Sequence, residues 1–247
     1  MGRSGSNPHP RHFAPIATPW PVIPPSSGNM AMPRRLILLV LFCLLSLSGA
    51  HAQQGARRQE GPAFLLSLSW SPDYCAHHGH ERTARSQCRG RTAYGFIVHG
   101  LWPEEEPAQA ACRPAGSLPP PLVERMMPIM PSAGLIEHEW ATHGRCSGFS
   151  ADDYFDRVSQ AFLKVQIPDR LQHPDGLIVT DVVHLKRWFQ EANPGLQSAM
   201  MSVHCEARGT NLREIRFCMG KALDFRPCAP APNDQCPNGA VRIAPVP

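Results

Sequence analysis

Apolar and polar residues alternate from Phe64 to Trp70. Phe64, Leu66, Leu68 and Trp70 interleave with Leu65, Ser67 and Ser69, the two-residue period of a half-buried strand. Thr92–His99 predicts a second, more continuously apolar strand that ends on a histidine and turns at Gly100-Leu101-Trp102-Pro103. Between them, Ser71–Gly90 shows no apolar period and reads as a polar loop holding Cys75 and Cys88; Glu104–Pro121 is a Pro/Glu/Ala loop holding Cys112. Helical spacing follows. Leu122–Met130 and Ile136–His143 predict short helices, and Ser150 with Asp153 predicts a capped helix to about Val165, with Tyr154, Phe155, Val158 and Phe162 inward. Asp181–Ala192 predicts another amphipathic helix, stopped by Asn193-Pro194-Gly195. Val203–Glu206 and Leu212–Met219 flank Gly209-Thr210-Asn211 as a hairpin, before a Pro- and Cys-rich tail read as coil. Strands scattered among helices, without regular βαβ spacing, predict one α+β domain.

The N-terminus follows a different logic. Residues 1–31 are rich in Pro, Gly, Ser and Asn and lack apolar periodicity, which predicts a disordered or non-native extension. Met32-Pro33-Arg34-Arg35, the apolar run Leu36–Leu47 and the small residues ending Ala50-His51-Ala52 predict a signal peptide over 32–52, cleaved after Ala52. That run of about a dozen residues falls short of the ~20 that span a bilayer, so no membrane anchor is expected after cleavage. The expected mature domain is 53–247, secreted or periplasmic.

This boundary changes the charge. The chain has 24 basic and 20 acidic residues, but Arg3, Arg11, Arg34 and Arg35 precede residue 53 and no acidic residue does. The mature part is therefore neutral with histidine uncharged, and any polyanion must be held by local groups and not by a general basic surface. Of nine cysteines, Cys43 lies in the leader. The even remainder (Cys75, Cys88, Cys112, Cys146, Cys205, Cys218, Cys228 and Cys236) reads as up to four disulfides in an oxidising compartment. Spacing alone leaves their connectivity open. No C-x-x-C pair suggests a zinc ribbon.

Chemistry concentrates in two segments, Phe96-Ile97-Val98-His99-Gly100-Leu101-Trp102-Pro103 and His138-Glu139-Trp140-Ala141-Thr142-His143-Gly144-Arg145-Cys146. His138 and His143 are five residues apart, about 140° round a helix, so they do not form the zinc-binding H-E-x-x-H pair. Glu139 and His143 are four apart and share a helix face. Cleavage of RNA needs a base for the 2′-hydroxyl, an acid for the leaving 5′-oxygen and a group to stabilise charge on the phosphoryl oxygens. A flat aromatic can stack a base. His99, His143, His138 with Glu139, and Trp102 offer one candidate for each task.

Together the segments resemble the two active-site segments of the ribonuclease T2 family. The resemblance implies an α+β fold with a central antiparallel sheet flanked by helices. It also implies metal-independent endonucleolytic cleavage of single-stranded RNA, through a 2′,3′-cyclic phosphate to a 3′-phosphate, with broad base preference and no cofactor. By position, His99 and His143 become the acid–base pair, with His143 taking the 2′-hydroxyl proton and His99 protonating the leaving oxygen. His138 and Glu139 hold the phosphate; Trp102, and more weakly Glu104, contact a base. The implied disulfides are Cys75–Cys88, Cys112–Cys146, Cys205–Cys236 and Cys218–Cys228. RNA is the expected partner, and the chain is expected to be a monomer. The family has Lys or Arg directly before the second His-Gly, whereas this chain has Thr142. That predicts a slower enzyme whose rate Thr142→Lys would raise, unless another group already supplies the charge.

Two other readings remain at this level. Thr142 fits an inactive relative that acts by RNA or protein binding, and His77, His78 and His80 fit a secreted metal binder. Trp70, Trp140, Trp188 and Phe189 read as core. Mass analysis of exported protein is expected to find Gln53 at the N-terminus; a chain that retains 32–52 would contradict the cleavage site.

Overall fold

Each strand of the main sheet sorts its side chains by the pleat, and that sorting creates the surface on which the candidate residues stand. The computed structural model describes residues 63–104, 112, 114 and 116–247. The expected extension, leader and cleavage site lie outside the described residues. Residues 58–247 form one compact unit.

Four antiparallel strands, β1 (Phe64–Trp70), β2 (Phe96–Pro103), β4 (Met201–Cys205) and β5 (Leu212–Met219), lie in the order β2-β1-β5-β4. Phe64, Leu66, Leu68 and Trp70 of β1 are buried on one face, with Val98 and Leu101 of β2 and Ile215 and Phe217 of β5 in the same core. The other face carries cross-strand rows of short or polar residues. One row runs Gly100, Ser67, Arg216, Ser202, and the next joins Ser69, Glu214 and His204.

Two long helices cover the apolar face. Ser150 caps α5 (Ala151–Lys164) by accepting from the Asp153 N–H at 3.1 Å, and Tyr154, Phe155 and Val158 face inward as expected. The buried Tyr154 hydroxyl donates to the Leu101 carbonyl at 2.9 Å, tying the helix to β2. In α6 (Val182–Ala192), Phe189 sits 6.0 Å from Phe96 and 5.5 Å from Phe217, measured between ring centroids. A third helix, α4 (Ala133–Thr142), follows α3 (Pro120–Met126) and is capped by Ser132. Between these two, Ile129 accepts from the Val98 N–H at 2.9 Å on the outer edge of β2. That contact covers an edge that could otherwise pair with another chain.

All four implied disulfides are present: Cys75–Cys88, Cys112–Cys146, Cys205–Cys236 and Cys218–Cys228. Three expectations need correction. The segment Ser71–Gly90 is not simple loop; it contains α1 (Ser71–His78) and α2 (Arg85–Cys88). Pro72 starts α1, and only Ser71 and Asp73 of that helix are buried, so no apolar stripe announces it. The second strand begins at Phe96 and continues through Gly-Leu-Trp-Pro, because Gly100–Pro103 pair with Phe64–Ser67. Proline is acceptable at that strand end, where no further ladder donor is needed. The tail is not all coil: β6 (Ala240–Ile243) pairs with β3 (Ile178–Asp181), a small sheet too short to show a period.

Gly144, within the second segment, has a packing role. A Cβ there would overlap the rings of Trp140 and Tyr154, two bulky core side chains. Gly144→Ala is expected to destabilise the fold by about 1–3 kcal/mol in urea unfolding; an unchanged midpoint would contradict this packing.

Candidate active site

His99 occupies a break in the ladder. Ser67 pairs with Gly100 and Leu68 with Val98, so His99 is the extra residue of a β-bulge. A bulge re-aims its side chain relative to the pleat. His99 Nδ1 lies 3.1 Å from Glu214 Oε2 on β5, across the intervening β1. The other ring nitrogen, Nε2, lies 3.8 Å from Glu139 Oε1, within ion-pair range but beyond hydrogen-bond reach.

Glu139 reaches this point from α4, only 1% exposed. It accepts from Trp102 Nε1 at 2.8 Å. Gly100 makes the approach possible, since a Cβ there would collide with the Glu139 carboxylate and the Trp102 indole nitrogen. His143 caps the C-terminus of α4, donating its backbone N–H to the Glu139 carbonyl at 3.0 Å. Its ring centroid is 5.5 Å from that of Trp102, and His99 meets the same indole edge-on at 5.3 Å. Trp102 thus touches both imidazoles and holds the carboxylate.

The structure therefore gathers His99, Trp102, Glu139 and His143. His138 is exposed on α4 and influences Glu139 through charge; Glu104 is exposed just beyond β2. Arg145, in the turn after α4, folds back on that helix, its Nε donating to the Ala141 carbonyl at 2.6 Å. Two residues that sequence reasoning missed complete the site. Glu214, 3% exposed, is shared between His99 and Arg216, whose Nε pairs with its other oxygen. The Arg216 guanidinium lies 4.9 Å from the Trp102 ring centroid. The only signal was alternation of Glu214 and Arg216 with Ile215 and Phe217, which usually marks a solvated strand face.

Burial alone would raise the Glu214 carboxyl, but the His99 hydrogen bond and the charges of His99 and Arg216 outweigh it, lowering it to about 2. Burial alone would lower His99; the Glu214 hydrogen bond and charge, aided by Glu139, win and raise it. Burial raises Glu139 despite the opposing pull of His99, Trp102, His143 and His138. Linkage follows from these directions. The Glu214 contribution to stability is lost as pH falls from 4.5 towards about 2, and that of His99 is lost as pH rises past 6.5. Such a site can keep one imidazole protonated beside a second on a common aromatic platform.

A cavity of about 620 Å³ opens beside His99 and Glu214 and extends to Asp73 and Glu206, past the stacked Tyr74 and His78 and the cationic Arg208 and Arg213. Among the described residues, one group has metal-donor geometry: Asp73, His77 and Glu206, with donor atoms within 4.8 Å of one another. Burial and Glu206 raise Asp73 to about 7. His78 instead contacts Glu81 at 2.8 Å. The described residues around Trp102 form no such donor set.

The model of the ribonuclease T2 family matches residues 61–228. Among similar proteins, Ribonuclease I of Escherichia coli is 31% identical over 228 residues, covering 72% of this chain and 83% of that one. A probable ribonuclease of Haemophilus influenzae is 29% identical (67% of this chain, 60% of that one), and a ribonuclease of Aeromonas hydrophila is 30% identical (56% and 62%). This chain spans only about three fifths of the length of the latter two. Its fold is similar to that of trichomaglin, an S-like ribonuclease, with TM-score 0.59 and 19% identity over 76% of this chain and all of that one. Japanese pear S3-RNase gives TM-score 0.53 and 20% identity, with 72% and 98% covered. With the family model covering most of the described domain, the first segment on β2 and the second on α4 and the turn that follows it, the chain belongs to the ribonuclease T2 family.

Proposed function

We propose that this protein is a metal-independent endoribonuclease of broad base preference that acts on single-stranded RNA. The observation that carries the reading is the engagement of His99 Nδ1 by the buried Glu214, which favours the protonated imidazole and leaves Nε2 outside that contact. That is the state a general acid needs at neutral pH.

In the first step the 2′-oxygen attacks the adjacent phosphorus and the bond to the 5′-oxygen breaks. His143 accepts the 2′-hydroxyl proton as His99 donates one to the departing 5′-oxygen, leaving a 2′,3′-cyclic phosphate. Water then opens the ring to a 3′-phosphate with the two histidines exchanging roles. Glu139, fixed by the Trp102 N–H, borders the phosphoryl group in this reading, with the exposed His138 next to it on α4 as a second phosphate-holding group. Trp102 and Glu104 border the base on one side, and the 620 Å³ cavity offers room for the neighbouring nucleotide. We further propose a monomer, exported after cleavage behind Ala52. No helix among the described residues is long and apolar enough to cross a membrane.

The test incubates the mature protein with RNA and with DNA, each with and without EDTA, and analyses the ends. EDTA-resistant cleavage of RNA giving cyclic phosphate, with DNA intact because it lacks the 2′-hydroxyl, is expected. Uncut RNA would overturn the activity, and EDTA sensitivity would overturn its metal independence. His99→Ala and His143→Ala are each expected to lower kcat by roughly 10²–10⁴-fold, with a bell-shaped wild-type pH profile; a monotonic profile would contradict the two-histidine mechanism.

A further inference from the structure

Thr142 leaves the second segment without the cation its family carries there, and the fold brings one from elsewhere. Arg216 belongs to β5, yet its guanidinium lies 4.9 Å from the ring centroid of Trp102 on β2. Because β1 separates these strands, the side chain must reach across it. It crosses above Ser67, its cross-strand partner, and towards Gly100, the position over which Glu139 sits. Two of the smallest residues on this face thus form a trough between the Glu139 carboxylate and the guanidinium.

Of the five N–H donors of arginine, the Nε–H goes to Glu214. The terminal nitrogens have no hydrogen-bond partner among the described residues, and the side chain is 32% exposed. A planar fork with free donors, only partly hydrated and stacked on the indole that touches both imidazoles, suits bidentate contact with phosphoryl oxygens. We infer that Arg216 is the phosphate-holding cation of this site, supplying from β5 the charge that Thr142 does not. The inference rests on the nuclease reading above and adds a catalytic residue to it. The guanidinium stabilises charge that builds on the non-bridging oxygens during 2′-oxygen attack. It also makes Thr142→Lys nearly silent in the wild-type background.

A purely structural Arg216, present only to neutralise Glu214, makes different predictions, so the test combines kinetics with anion binding. Arg216→Gln is expected to lower kcat on a dinucleotide roughly 10²-fold, with a much smaller change in KM, and Arg216→Lys to fall between. Adding Thr142→Lys to Arg216→Gln is expected to recover roughly tenfold, because the added ammonium returns charge without rebuilding the Glu214 contact. Near wild-type kcat in Arg216→Gln, or no recovery in the double variant, would overturn the inference. Titration with inorganic phosphate, followed by tryptophan fluorescence, is independent of turnover. Weaker binding by Arg216→Gln than by wild type is expected, and equal binding would overturn the inference. A wild type that cuts no RNA, but whose phosphate affinity depends on Arg216, would defeat the nuclease reading and uphold Arg216 as the anion-holding group.

Discussion

Glu214 is a carboxylate at 3% exposure, and burying such an ion unpaired costs several kcal/mol even after the protein relaxes. Its two oxygens find His99 and Arg216, and that shared contact organises the polar face of the sheet. It engages Nδ1 of His99 and leaves Nε2 outside that contact. It draws Arg216 back over β1 to Trp102. The carboxyl is lowered because two cationic groups face it, and the imidazole is raised because the anion faces it. Each shift supports the other, and removing Glu214 would leave His99 and Arg216 without the anion they share.

The first active-site segment can be read as a set of solutions to this crowding. The bulge at His99 releases one side chain from strict alternation. Glycine at 100 clears space for a carboxylate delivered by another element, and Leu101 returns to the apolar core. Trp102 then uses its N–H for Glu139 and its ring for two imidazoles and a guanidinium. The second segment divides its labour similarly. Glu139 and His143 face the site, while Trp140 and Gly144 pack with Tyr154, whose hydroxyl anchors the same β2 strand.

Much of this was legible in the chain itself. Alternation located β1, the capping pair located α5, and the two motifs together located His99, Trp102, Glu139 and His143. What stayed hidden has identifiable causes. Helix α1 shows no apolar stripe because it buries polar residues, and β3 with β6 are too short to carry a period. The extension of β2 through a Gly-Leu-Trp-Pro sequence depends on pairing with β1, a tertiary fact. Glu214 and Arg216 were missed for a similar reason. On a strand, alternate charges normally mean solvent, and only the sheet order shows that this face is roofed by α4 residues and shared with β2. The missing cation at Thr142 is visible in the sequence, whereas the guanidinium that β5 places beside Trp102 is visible only in the fold.

The central claim is that Glu214 holds His99 in its acid form. Following the His99 imidazole by NMR across pH, in wild type and in Glu214→Gln, tests it most directly. Wild-type His99 is predicted to titrate above its ordinary value of 6.5, because burial is outweighed by Glu214, and to fall below that value once the carboxylate is gone. A wild-type His99 that titrates at or below 6.5, or one indifferent to Glu214→Gln, would contradict the account.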